Sequence, residues 1–538
     1  MRPHGAFRLD DPMRISKKLA VGAATLALVA TAIAPAASAV DIAVPGQEFS
    51  LGLAPEVTGS PGVPAAYIRL WDMGMAWRDV NPSPGVFNFT VMDQRMAQAE
   101  AAGARPLVVL GLTPQWAAQN PNAGDPRWGA GTASAPSNPD TYTAYVTAIM
   151  QRYGSRIGAV EVWNEANLQT FWTGTPAEMA DLTARAYKTI KSISPSTQVI
   201  AASTTTRLAA SVASFFAPYA AALKSMGYPI DAWTIHTYPA GNQGPADRYQ
   251  DVLEWRGVLI DATQNDPAAL NKQVWDTEIN YGLAGPGPIP HSDFDANTSG
   301  QFVARTFVDS VRLGIDATFW YMWTATSYSL LGVQMFNGTT TTIGAYNTAR
   351  GWLTGATLKG CDQLNGVIRC YFTGGAGAFY LAMSANDGAA TLNKQPTATA
   401  ENWLGQPVNT SGPVALASGP VKFTCLPSDT AQCTLGATPA AAAVPLPGSG
   451  PAIARTITIK VAKGSVNGKP GLVITGQSTG MPGEIVTSFW RQGSSKKFTA
   501  GNKAVVQADG SFTVGKVTKG AGSAYVTNFG VKSNTASS

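Results

Sequence analysis

The stretch VEVWNEANLQTFW, residues Val160 to Trp172, decides how the rest of the chain is read. Its first part belongs to a short apolar run, Ala159 to Trp163, of the kind a buried strand needs. The run ends in the adjacent polar pair Asn164-Glu165, and Asn167, Phe171 and Trp172 follow. A carboxylate at the tip of an apolar strand is either a solvated loop acid or a group held in a cleft with a tuned proton affinity. The second needs a matching carboxylate at another strand end and ring-sized aromatic surface around both.

Outward from this stretch, strand and helix patterns alternate with βα spacing from Val40 to about Thr354. Expected strands are Phe49–Leu53, Tyr67–Trp71, Leu107–Leu112, Ala159–Trp163, Gln198–Ala202, Asp231–Ile235, Gln273–Trp275 and Ala317–Tyr321. Each but the first is followed by a helical segment, and Pro176 marks the start of the helix after the opening stretch. Eight such units predict a (β/α)8 TIM barrel spanning 40–354. A doubly wound open sheet is the alternative, but no Gly-rich phosphate loop follows the first strand. From about Leu358 short alternating runs with Gly, Asn and Pro between them predict a β-sandwich over 355–438. An Ala/Pro-rich linker, 439–451, precedes an immunoglobulin-like or fibronectin-like β domain over 452–538.

Composition narrows the class. Apolar residues make up 45% and charged residues 13% of the 538, which suits a large core and argues against disorder or a coiled coil. Arg14, Lys17 and Lys18, the apolar run Leu19–Ile33 and the small-residue site Ala37-Ser38-Ala39 predict a signal peptide over 1–39 and a secreted protein. Cys361, Cys370, Cys425 and Cys433 then read as two disulfides. Three pairings are possible, and the sequence-near ones, Cys361–Cys370 and Cys425–Cys433, are favoured. Charge is uneven. Residues 451–538 carry eleven Lys and Arg against two acids, whereas 40–450 carry 22 basic against 29 acidic side chains. A basic module on a mildly acidic body suggests either a spacer or attachment to an anionic surface such as cell-wall polymer. Trp490 and Tyr525 alternatively offer that module a carbohydrate-binding face. Neither nucleic acid nor, after signal cleavage, a membrane is an expected partner.

In such a barrel the functional side chains lie at the C-terminal strand ends. Reading only those ends collects Arg69, Trp71, Trp116, Asn164, Glu165, His236, Tyr238, Glu278 and Trp323. Indole faces stack on sugar rings, polar groups bind hydroxyls, and glycosidic cleavage uses one protonated and one ionised carboxyl. Glu161 reads as a structural acid paired inside the barrel, and Asp276 as a partner to the site rather than a nucleophile. No metal or other cofactor is called for.

VEVWNEANLQTFW, WTIHTYP and VWDTEINYG resemble strands four, six and seven of clan A retaining glycoside hydrolases, and are most similar to family 39. YIRLWDMG, PGVFNFTVMDQRM and LTPQW extend the likeness over roughly Tyr67 to Trp323, with Ala166 where the family commonly has proline. The resemblance implies Glu165 as general acid/base and Glu278 as nucleophile. It also implies Asn164 on the sugar 2-hydroxyl, with Arg69, His236 and Tyr238 around Glu278 and Trp323 as subsite floor. Trp116 and Trp172 are candidate subsite walls. The expected activity is double-displacement hydrolysis of β-linked sugars in a polysaccharide or oligosaccharide. The alternatives are an exo-acting β-xylosidase and a non-catalytic carbohydrate-binding protein on a decayed barrel.

Overall fold

The computed structural model describes residues 41–336, 340–375, 377–393, 399–425, 457–466, 468–478, 485–492, 498–506, 511–518, 521–528 and 531–538. The expected signal peptide, the linker and Cys433 lie outside them. Eight parallel strands close into a barrel: β1 Phe49–Leu53, β2 Tyr67–Leu70, β3 Arg105–Val109, β4 Ala159–Glu161, β5 Gln198–Ile200, β6 Ala232–His236, β7 Gln273–Ile279 and β8 Ala317–Thr324. β8 pairs with both β7 and β1, which completes the ring.

The helices follow as expected: α1 Thr90–Ala101, α2 Pro139–Tyr153, α3 Pro176–Ile193, α4 Ala217–Ser225, α5 Pro245–Thr263, α6 Ala296–Leu313 and α7 Thr340–Leu353. α3 starts at Pro176 because Thr175 and Glu178 cap each other's backbone N–H groups. The helical segment expected after Gln198–Ala202 opens as a π-helical segment, Val212–Phe216, ahead of α4.

Strand alternation sorts the side chains. Tyr67, Leu107, Val109, Ala159, Ile200, Ala232, Trp275, Ala317 and Phe319 fill the lumen. Arg69 lies two residues after Tyr67, and Glu161 two after Ala159, so both continue the lumen rows toward the C-terminal face. Glu278 is out of phase with Trp275 and would turn outward with Asp276. A bulge corrects this: Ile235 pairs with Asp276, but the next residue, His236, pairs with Glu278. The pairing with β8 shows the same extra residue in β7, with Thr318 opposite Asp276 and Trp320 opposite Ile279. Bulges re-aim side chains in this way. Asp276 faces the helix layer, where Arg248 of α5 donates to it at 2.8 Å.

Beyond the barrel lies an antiparallel sheet built on Thr357–Leu364, Val367–Gly374, Gly377–Ser384 and Val421–Thr424. Ile42–Ala43, ahead of the barrel in sequence, pairs with Thr357–Leu364 at its edge. A separate pair, Ala390–Leu392 with Val414–Leu416, completes the accessory β region. Cys361 is disulfide-bonded to Cys370 across the first hairpin. The accessory sheet is tied to α6. Arg305, 1% exposed, donates to Asp309 at 2.6 Å and to the Ser384 carbonyl at 2.7 Å. Trp403 lies so close to Gly300 of α6 that a Cβ there would come within 2.3 Å of its ring.

The C-terminal residues form a three-stranded and a five-stranded antiparallel sheet around a core of Ile459, Ile474, Trp490, Phe512 and Val526, among others. Trp490 is 2% exposed and its indole N–H donates to Ser488. It is a core residue, which corrects its reading as part of a carbohydrate-binding face.

Arg305→Ala would strand the Ser384 and Ser418 carbonyls and remove the cation from a buried ion pair. We expect a loss of about 3 kcal/mol in denaturant-induced unfolding, and a loss under about 1 kcal/mol would contradict the role given to Arg305.

Candidate active site

Arg69 organises the C-terminal mouth of the barrel. Its Nε and Nη2 donate to the two oxygens of Glu161, each at 2.8 Å. Nη2 also donates to Asn164 Oδ1 at 2.8 Å, and Nη1 donates to Glu278 Oε1. Three strands are thereby locked together by one planar cation. Burial would push the guanidinium down, but the charges of Glu161 and Glu278 override it and raise its proton affinity. Burial would likewise lift Glu161, yet Arg69 and then His236 hold its carboxyl down at about 2. The reading of Glu161 as a structural acid paired inside the barrel fits this geometry.

Glu278 receives a second donor, the Tyr238 hydroxyl, at 2.7 Å on Oε2. His236 is fully buried and lies between the two glutamates. Its Nδ1 is 3.2 Å from Glu165 Oε1 and 3.5 Å from Glu278 Oε2. Its Nε2 is 3.0 Å from the Thr277 hydroxyl. Burial disfavours the imidazolium, but Glu278, Glu161 and Glu165 together lift it to about 10.

Glu165 sits in left-handed backbone, φ 40°, an uncommon choice for a glutamate. Ser203, just past β5, holds it there. The Ser203 hydroxyl accepts the Glu165 N–H at 2.9 Å, and its carbonyl accepts the Ala166 N–H at 2.9 Å. The following loop folds back through Trp163, whose indole N–H donates to the Phe171 carbonyl at 2.8 Å. Gly111, φ 137°, lets the β3 chain pass Trp163, since a Cβ there would lie 3.2 Å from the ring.

Arg69, Asn164, Glu165, His236, Tyr238 and Glu278 thus converge. Of the three tryptophans assigned to the sugar, two are buried. Trp172 is 2% exposed, edge-on to Trp163 at 5.0 Å, and donates to the Thr175 carbonyl. Trp116 is half-buried and donates to the Asn81 carbonyl at 2.9 Å. Trp323 is also 2% exposed, and an irregularity in β8 between Trp320 and Trp323 breaks the alternation on which its lumen-facing role depended. Side chains without an open face have no stacking surface for a sugar, which corrects the roles given to Trp172 and Trp323.

Tyr321 is instead the β8 aromatic at the acid pair, edge-on to Tyr238 at 6.3 Å. Burial, with the nearby charges of Asp72 and Glu278, pushes its phenol well up. Trp71, Trp128 and Phe171 form a second aromatic group, with ring centroids 5.7 to 6.0 Å apart and the Arg69 guanidinium 6.0 Å from Trp71. Trp128 was missed because it stands in a long loop without periodicity, and Tyr321 because Trp323 drew the strand-end assignment.

Glu165, His236 and Glu278 also place one ligand atom each within 4.8 Å of one another. A cation there would have to displace the proton whose affinity for His236 the surrounding carboxyl groups raise.

No protein-family model matches the chain, and no curated protein does. Solved structures do. A family 39 glycoside hydrolase from Bacteroides cellulosilyticus WH2 is 18% identical, with 67% of this chain and 76% of that one covered and a TM-score of 0.49. A family 39 enzyme from Xanthomonas axonopodis pv. citri is 17% identical, with 71% and 95% covered and a TM-score of 0.45. A family 39 β-xylosidase from Caulobacter crescentus is 16% identical, with 71% and 97% covered and a TM-score of 0.45. The chemistry of the site rests on its own geometry.

Because Glu161 is held down at about 2 from an ordinary 4.5, its stabilising effect is complete above pH 4.5 and disappears as pH falls through 2. Glu161→Gln should therefore cost about 3 kcal/mol at pH 7. The gap from wild type should close progressively below pH 4.5, as read from denaturant melts across pH. A gap independent of pH would contradict the ion pair as its source.

Proposed function

We propose that this chain is a retaining glycoside hydrolase working by double displacement. The observation that carries the reading is the separation of the two glutamates: their facing carboxyl oxygens lie within 4.8 Å. Retaining enzymes hold the pair roughly 5–5.5 Å apart, whereas inverting ones leave about 6.5–9.5 Å for a water.

The hydrogen bonds divide the roles. Glu278 accepts from Arg69 and Tyr238, a donor set suited to a carboxylate, and it attacks the anomeric carbon. Glu165, its side chain the more exposed of the two at 14% against 8%, gives its proton to the glycosidic oxygen as that bond breaks. The product is a glycosyl ester on Glu278 and a free leaving-group hydroxyl. Glu165, now a carboxylate, takes a proton from water, and the hydroxide oxygen bonds to the anomeric carbon and releases Glu278. Asn164 Oδ1 is occupied by Arg69, which orients its amide so that the NH2 donors are available to a sugar hydroxyl.

The substrate we propose is a β-linked polysaccharide or oligosaccharide. Support comes from the aromatic group Trp71, Trp128 and Phe171, whose latter two rings are half-buried at the mouth. We further propose that the protein acts outside the cell, as the signal-like residues 1–39 suggest. In this reading the basic C-terminal module holds it to anionic cell-wall polymer.

Glu278→Ala should lower turnover on a polysaccharide panel by about 10^4-fold or more, and proton NMR of the wild-type reaction should show the first-formed sugar with the anomeric configuration of the substrate. Inversion, or full activity in the variant, would overturn the mechanism. For the module, removal of residues 452–538 should weaken pull-down with purified cell wall at low salt and make little difference at 1 M salt, where screening lengths shrink to about 3 Å. Salt-insensitive retention of the truncated chain would refute the electrostatic anchor.

A further inference from the structure

Asp72 is a fourth carboxyl at the mouth of the barrel, unused by the mechanism above. It follows Trp71 at the end of β2, in left-handed backbone with φ 50°. Its Oδ1 is buried and has no hydrogen-bond partner among the described residues. Every other carboxyl at the site has one: Glu161 has Arg69, Glu278 has Arg69 and Tyr238, and Glu165 has His236. A buried acceptor without a donor calls for an explanation, and at the mouth of the barrel a substrate hydroxyl can supply one.

The groups acting on Asp72 come from every side of the mouth. Glu278 faces it from β7, Arg69 from its own strand, Glu56 from the loop after β1, and Tyr321 and Tyr328 from β8 and the loop beyond. The guanidinium of Arg69 is committed to Glu161, Asn164 and Glu278, so it does not serve Asp72. Burial, and after it the charge of Glu278, pushes Asp72 up to about 7. The carboxyl therefore sits beside the nucleophile, short of a donor, in surroundings that penalise an unpaired charge.

We propose that Asp72 is a specificity-determining residue, accepting a hydrogen bond from a ring hydroxyl of the sugar seated against Glu278. The proposal rests on the glycosidase reading and deepens it. A site built to bond a hydroxyl rejects an analogue in which that hydroxyl is displaced, because the buried polar group is then left unpaired. The contact also tightens along the reaction. When Glu278 becomes an ester its negative charge is lost, and ionised Asp72 is then favoured as the acceptor.

The test uses 4-nitrophenyl β-glycosides that differ at single ring carbons, among them the xyloside, glucoside, galactoside and mannoside. Wild type, Asp72→Ala, Asp72→Asn and Glu278→Ala are compared from pH 5 to 9. Asp72→Ala should raise KM for the preferred glycoside about 10-fold or more with a smaller change in kcat, and should shrink the kcat/KM ratio between that glycoside and its epimers by a similar factor. Asp72→Asn, of equal size, should melt like wild type and lose the inflection of KM near pH 7. Unchanged KM, epimer ratio and pH profile in both variants would overturn the proposal, and so would a lower Tm with discrimination intact. Glu278→Ala separates the two ideas. If it stays active while Asp72→Ala loses discrimination, the nucleophile assignment falls and Asp72 stands.

Discussion

The guanidinium of Arg69 is the constraint on which the site depends. It is 1% exposed and ties β2 to Glu161 on β4, Asn164 just beyond β4 and Glu278 on β7. An arginine buried this deeply is tolerable only when its charge is matched and its donors are used. Glu161 supplies the match with both oxygens, which leaves one arm of the guanidinium for Glu278. The structural acid and the reacting acid are thus held by one cation. Its planar fork sets the angle at which Glu278 meets a substrate.

His236 plays the complementary part. It is the second cation in a site with three carboxyl groups within 3.8 Å of its ring nitrogens. Arg69 cannot lose its proton under any ordinary condition, whereas an imidazole can. The constant charge balances the permanent anion, Glu161, and the titratable one lies between the two glutamates whose charges change during turnover. Behind this layer, Arg248 pairs with Asp276 in the helix layer, and Arg305 holds the accessory sheet to α6. Each is an arginine with its donors spent on carboxylates, carbonyls and hydroxyls, so the barrel is braced where the site is built.

The barrel was legible because its signals are local. Apolar runs of strand length, amphipathic segments between them and the cap at Thr175-Pro176-Glu178 all follow from short-range chemistry. The accessory sheet was less legible. Thr357–Leu364 carries Lys359, Gly360, Asp362 and Gln363, a poor strand by composition, and it forms through pairing with Val367–Gly374 and with the distant Ile42–Ala43. The tryptophans misled for a related reason. Trp172 and Trp323 have the composition of sugar platforms, but an indole at a strand end packs as readily inward as outward. The choice depends on bulges and loop folding that a linear pattern does not carry.

The sequence by itself determined the eight βα units, the strand-end positions of Arg69, Asn164, Glu165, His236, Tyr238 and Glu278, and the two-carboxylate character that follows from them. Which side chains face one another is settled by contacts between strands. By alternation Glu278 belongs on the outside of the barrel with Asp276, and one extra residue in β7 turns it to the lumen. Likewise nothing local marks Asp72 or Tyr321, whose importance lies in lying beside a carboxylate some two hundred residues away or on a neighbouring strand. Periodicity is a property of neighbours along the chain, while burial, charge pairing and a missing hydrogen-bond partner are properties of neighbours in space.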